Sequence, residues 1–142
     1  MTMQREVRLL NEWLWENHSD VVIHRNYPLG KHGEGSDYRM FMTKAPRCDA
    51  WFEKAGRIFI IEAKVVDELK GVAELELYRK LFAETPELEP LKNKPVSLIL
   101  LRARERPEIT GMCVDKGITP VLYCPDWCVE YLTQLVEQKR QR

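Results

Sequence analysis

The chain has no apolar run near the ~20 residues that a membrane-spanning helix needs. The longest is the short Val-Ser-Leu-Ile-Leu-Leu stretch at 96–101. Its opening residues, Met-Thr-Met-Gln-Arg-Glu, lack the apolar centre and small-residue cleavage site of a secretory signal, so a cytoplasmic location without membrane attachment is expected. No internal repeat, collagen-like period or low-complexity tract is present. An excess of one charge is missing too: 22 Lys+Arg meet 22 Asp+Glu, for a formal net charge of zero. That balance argues against an indiscriminate polyanion binder but leaves room for a local basic surface. Paired metal-type cysteines are also absent. Of Cys48, Cys113, Cys124 and Cys128, only Cys124 and Cys128 are close, with no second pair and no nearby His. Structural zinc sites usually pair close ligands, so a zinc site from Cys113, Cys124 and Cys128 gives way to buried, reduced thiols.

What is present suits one soluble domain over 1–142, since 142 residues with 44% hydrophobic and 31% charged side chains are enough for a real core. Residues 3–17 read as an amphipathic helix, with Met3, Val7, Leu10 and Leu14 at helical spacing. Residues 21–27 read as a strand stopped by Pro28, and 29–38, with three glycines, as a loop. Residues 48–53 and 57–66 make two strands joined by a tight turn at Lys54-Ala55-Gly56. A helix over 67–83 follows, stopped by Pro86, then a polar loop over 87–95. A third strand spans 96–103, residues 108–116 are a short helix or irregular, and 117–124 form a last strand. Pro125-Asp126 opens a C-terminal helix, because Pro is preorganised for a helix start and Asp favours the positive dipole end. Residues 138–142 are a basic tail. The order predicts an α/β fold: a mixed central β-sheet flanked by helices, in one layered domain.

Within the 57–66 strand only Glu62 and Lys64 interrupt the apolar run. Buried charges are costly unless paired or bound to metal, and strand periodicity puts both on one face. Asp49, across the hairpin, is placed to converge on them. Two carboxylates from adjacent strands make a hard, oxygen-rich site suited to Mg²⁺, with Mn²⁺ as a substitute and the Ala63 carbonyl as a further donor. Such an ion polarises a phosphoryl oxygen and acidifies water; Lys64 is placed to orient or deprotonate that water, or to offset charge on the phosphate.

Asp49-x12-Glu62-Ala63-Lys64 resembles the PD-(D/E)xK nuclease signature, with its frequent Glu-Ala-Lys form. Glu74-Leu-Glu-Leu-Tyr78 is similar to the family's Gln-Leu-x-x-Tyr helix, with Glu74 in the Gln place and Cys48 where Pro is usual. Gly117-Ile118 before a strand resembles the late strand of Holliday junction resolvase-like members. The resemblance implies a restriction endonuclease-like core and a Mg²⁺-dependent endodeoxyribonuclease acting in recombination, repair or phage and mobile-element DNA handling. It implies Asp49, Glu62 and Lys64 as catalytic, with Glu74 and Tyr78 supporting and the protein a homodimer. Glu6 is the candidate further metal-site acid on the first helix, with Glu12 and Glu16 as rivals. A non-catalytic nuclease-like domain, serving DNA binding or assembly, is the alternative.

Charge by segment resolves the neutral total. Residues 38–64 carry six basic and three acidic side chains, and 92–106 five and one, whereas 65–91 carry three and seven. The basic surplus therefore brackets the proposed strands, where phosphates must sit. Lys31, His32, Arg39, Lys44 and Arg47 are the candidate DNA contacts. With no base-reading module, structure-directed cutting of junctions, flaps or ends is expected over sequence-specific cutting.

Overall fold

The apolar stretches at 57–64 and 96–102 are buried on both sides because each lies mid-sheet between two helical layers, as near-continuous apolar strands require. In the computed structural model, which describes residues 2–141, the chain runs α1 (Thr2–Asn17), β1 (His24–Pro28), α2 (Ser36–Lys44), β2 (Arg47–Lys54), β3 (Arg57–Lys64) and α3 (Glu68–Glu84). A short 3-10 helix (Pro86–Leu91), β4 (Val96–Arg102), α4 (Pro107–Asp115), β5 (Ile118–Leu122) and α5 (Asp126–Arg140) complete it. Arg142 of the basic tail lies outside the described residues. The sheet order is β1-β2-β3-β4-β5. The first three strands are antiparallel neighbours, while β3–β4 and β4–β5 are parallel. Parallel neighbours need crossovers, and α3 and α4 supply them. At the β2–β3 turn Ala55 and Gly56 both have positive φ, 53° and 76°, which matches the right-handed twist of the hairpin.

Alternation along the strands divides the core in two. Ile58, Ile60, Leu98 and Leu100 meet Val72, Leu75, Tyr78 and Phe82 of α3 and Ile109 and Cys113 of α4. On the opposite face Ile61, Ala63, Ile99 and Leu101 meet Leu9, Leu10, Trp13 and Leu14 of α1, and Cys128 of α5. Helices α1 and α5 are further joined by cation–π contacts, Arg5 over Tyr131 at 3.8 Å and Arg8 over Trp127 at 4.4 Å. Cys113 and Cys128 thus lie on opposite faces of the sheet, so the three thiols weighed as a zinc site do not meet. No helix among the described residues is long and apolar enough to cross a membrane.

The fold class is the expected one, and four local details differ. The segment expected as loop over 29–38 gives way at Ser36 to α2, whose outer side leaves Tyr38 and Met40 exposed and so carries only a weak helical period. The first strand begins at His24 rather than Val21. A 3-10 turn sits inside the expected polar loop, shaped by Pro86 and Pro90. The last strand is trimmed to Ile118–Leu122, and Pro107 at the helix start settles 107–115 as a helix.

Candidate active site

The β2–β3 ladder runs in register from Lys54–Arg57 to Ala50–Ile61. Beyond that pair, side chains take over from backbone bonds. The Ala63 N–H donates to Asp49 Oδ2 at 2.8 Å, and the Asp49 N–H donates to Glu62 Oε1 at 3.3 Å. The strands therefore part where the two carboxylates meet. Since the N–H and C=O of one strand residue face the same neighbour, the Ala63 carbonyl faces β2 and Asp49. Asp49, Glu62 and Ala63, taken together from the sequence, stand together in the structure.

Lys64 lies on the Glu62 side of β3, and both are buried, 7% and 3% exposed. The Lys64 Nζ stands 2.9 Å from Glu74 Oε1 and 3.4 Å from Glu62 Oε2. Glu74 Oε1 is buried and is answered by the Lys64 ammonium, an ion pair at hydrogen-bonding distance. Its other oxygen accepts from the Tyr78 hydroxyl at 3.1 Å, and that hydroxyl also reaches the Arg47 carbonyl at 3.0 Å. Helix α3 thus delivers Glu74 and Tyr78 one turn apart onto the same site.

Burial and crowding set the protonation of this group. Glu62 is pushed up to about 9 by burial, then by the charges of Asp49 and Glu74, against the pull of Lys64. Burial also raises Asp49, partly offset by its bond from Ala63. Lys64 loses from burial, but Glu74 and Glu62 more than compensate and hold it above the usual lysine range. Burial and the neighbouring carboxylates raise Tyr78, keeping its phenol protonated. Glu6 is raised by burial and by the charges of Asp49, Glu74 and Asp67, against the pull of Lys64. Its rivals serve packing: Glu12 accepts from Trp127 Nε1 and Glu16 from the Tyr123 hydroxyl.

Two features of the site carry weak sequence signals. Gly71 in α3 lets the helix close on Lys64, because a Cβ there would stand 2.9 Å from Lys64 Cγ and 2.7 Å from Leu100 Cδ1. A glycine inside a helical period was its signal, since it costs about 1 kcal/mol against Ala unless packing needs it. Glu68, fully buried, accepts Nε and Nη2 of Arg104 at 2.6 and 2.9 Å and also Arg106. It fixes the start of α3 beside the β4–α4 loop.

The candidate DNA contacts fall on one side. Lys31, His32 and Lys44 line a hollow of about 590 Å³ with Met40 and Phe41, between the 30–35 loop and α2. Arg39 is exposed on α2 outside that lining. The His32 Nε2 is 2.6 Å from Glu87, and Arg47 donates to the carbonyls of Asn26 and Met42, so both tie the backbone together. The basic residues of 92–106 are matched by acids, three of them near in sequence and two, Glu53 and Glu68, from other elements. Lys92 pairs with Glu89, Lys94 with Glu53, Arg102 with Glu105, Arg104 with Glu68 and Arg106 with Glu108.

The donors offered to a cation are hard oxygens: Asp49, Glu62 and the Ala63 carbonyl. Among the described residues no three His, Cys, Asp or Glu side chains form a ready cage. Mg²⁺ does not require one, because it usually takes one or two carboxylates and keeps water and substrate oxygens in its remaining positions. Glu62 and Glu74 share the one ammonium of Lys64 while Asp49 and Glu74 crowd Glu62, which marks an acidic cluster short of positive charge, so the residues fit such an ion.

No protein-family model and no curated relative matches the chain. Among solved structures, the EndoMS–dsDNA2 complex matches at 18% identity and a TM-score of 0.50, over 83% of this chain and 44% of that one. This chain therefore spans less than half of that neighbour's length. What the two share is a fold, which in this chain is a mixed five-stranded sheet flanked by helices.

Proposed function

We propose that the protein is a Mg²⁺-dependent endodeoxyribonuclease of the PD-(D/E)xK type. One observation carries this reading: Asp49, Glu62 and Lys64 converge, largely withdrawn from water, where the β2–β3 ladder opens. Perturbed, buried ionisable groups gathered at one end of a sheet are the mark of a reacting site. The fold shared with a protein solved on duplex DNA is a supporting likeness. A divalent ion held by Asp49, Glu62 and the Ala63 carbonyl, with Glu6 near by, would supply Lewis-acid polarisation of a phosphoryl oxygen and a more acidic water.

The chain's own groups do the rest. Lys64, a fixed ammonium, orients the attacking water and offsets charge that grows on the phosphate. Tyr78 and Glu74 hold that lysine and the start of β2 in place. The cations unpaired among the described residues, on α2 and the loop before it, are suited to backbone and shape recognition, which favours junctions, flaps or ends as substrates.

The test is a cleavage panel in Mg²⁺ and Mn²⁺ over branched, single-stranded and duplex DNA. Asp49→Ala, Glu62→Ala and Lys64→Ala should each abolish cutting while keeping the helical circular dichroism spectrum. Full activity in any one of them sinks the assignment. A second reading is a non-catalytic DNA-binding or assembly domain, which Glu74 in the place of the family's Gln and the neutral total charge favour. Calorimetry separates the two, since that domain takes up no Mg²⁺ or Mn²⁺ at millimolar concentration.

A further inference from the structure

Glu74 is the acid of the cluster that is not among the proposed ligands of the ion. It occupies a helical position where an uncharged Gln would make similar hydrogen bonds. A Gln oxygen would still accept from Lys64, and its NH₂ would donate to the Tyr78 hydroxyl, which would donate its own hydrogen bond to the Arg47 carbonyl. What Glu74 adds is a full negative charge, set 2.9 Å from the Lys64 ammonium.

Lys64 is buried in the cluster, its stem packed beside Gly71 where no Cβ would fit, and its head lies between Glu62 and Glu74. A buried ammonium needs a counter-charge. Without one at position 74, Glu62 would be its main partner within reach, and a divalent ion would have to compete with a tethered cation for the same oxygens. With Glu74 present, the ammonium sits nearer to Glu74 than to Glu62. We propose that Glu74 is a positioning residue that holds the Lys64 ammonium off Glu62, leaving the Asp49–Glu62 oxygens open to a divalent cation. This rests on the metal-dependent reading above and gives Glu74 a role that needs the charge, beyond hydrogen bonding.

The test reads cation binding rather than activity: Mn²⁺ affinity by calorimetry for the full chain and for E74Q, K64M and the double variant. Glu74 acting through Lys64 predicts that E74Q weakens Mn²⁺ binding about tenfold, the scale of coupling between charges in contact. K64M tightens binding, and in the K64M background the E74Q effect falls below about threefold, the level expected of uncoupled sites. K64Q replaces K64M if the Met variant fails to fold. An E74Q loss of equal size in both backgrounds means that Glu74 acts on the cation directly, and it overturns the inference. So does an unchanged affinity in E74Q. If the parent chain binds no Mn²⁺ at all, the metal-dependent reading falls and takes this inference with it.

Discussion

A carboxylate cut off from water and set beside two others holds its proton far longer than a free one, and Glu62 illustrates this with a value pushed to about 9 by burial and by Asp49 and Glu74. The consequence for stability has a definite sign. Between the ordinary glutamate range and about 9, the folded chain holds a proton that the unfolded chain has lost. Stability therefore falls as pH rises through that window, by at most about 1.4 kcal/mol per pH unit for one proton. Glu62→Gln keeps an acceptor for the Asp49 N–H and removes the titration. In metal-free buffer its thermal midpoint should change less than the parent's between pH 5 and pH 8.5, and the variant should be the more stable at the upper end, with cleavage lost. A parent whose midpoint rises with pH over that range would contradict it. The trade is common at reacting sites, where charges that function requires are gathered at the expense of the fold.

Helix α3 shows how one element makes such a site, by presenting Gly71, Glu74 and Tyr78 on successive turns toward β3. Gly71→Ala tests the fit. Ala gains about 1 kcal/mol of helix propensity, but its methyl would press on Lys64 Cγ and on Leu100, and overpacking of this kind typically costs about 1–3 kcal/mol. The net expectation is a lower midpoint in chemical denaturation, together with a Lys64 shifted from Glu62 and Glu74 and reduced cleavage. An Ala variant more stable than the parent would mean that the close approach imposes no constraint. The same element marks how far the sequence alone reaches. Asp49, Glu62 and Lys64 were legible because two charges inside the apolar run of Ile58–Val66 break a simple rule, and the period of 2 fixes their shared face. The outline of the sheet was legible for the same reason. Helix α2 was not, because Tyr38 and Met40 face solvent and a glycine-rich approach hides the period. Nor was the Glu68–Arg104 clamp, whose partners are 36 residues apart and meet only once α3 and β4 are adjacent.

For the molecule as a whole, the neutral total is reached by pairing that is uneven across the surface. Around β4 the positive charges are spent internally: Arg102, Arg104 and Arg106 each hold a glutamate, and Lys92 and Lys94 do the same. Among the described residues Lys31, Arg39 and Lys44 take part in no ion pair, and they gather on α2 and the loop before it. A segment count gives surpluses of three for 38–64 and four for 92–106, and it cannot see which of those charges the fold answers. On the proposed function, these unpaired cations, Lys31, Arg39 and Lys44, assign the phosphate contacts to the α2 side of the cluster, where Arg47 leads from α2 into β2 and its carbonyl meets Tyr78. Each phosphate neutralised releases counterions, giving a slope of about −0.9 in log affinity against log salt for duplex DNA. Replacing Lys31, Arg39 and Lys44 together by Gln should flatten that slope by roughly 2 to 3 units and weaken binding at moderate salt, measured by fluorescence anisotropy in Ca²⁺ to prevent cutting. Replacing Lys92 and Lys94 by Gln should leave the slope unchanged, because their charges are already answered by Glu89 and Glu53. The reverse pattern, with the slope carried by Lys92 and Lys94, would move the DNA surface to the β4 side and require the paired lysines to open on binding.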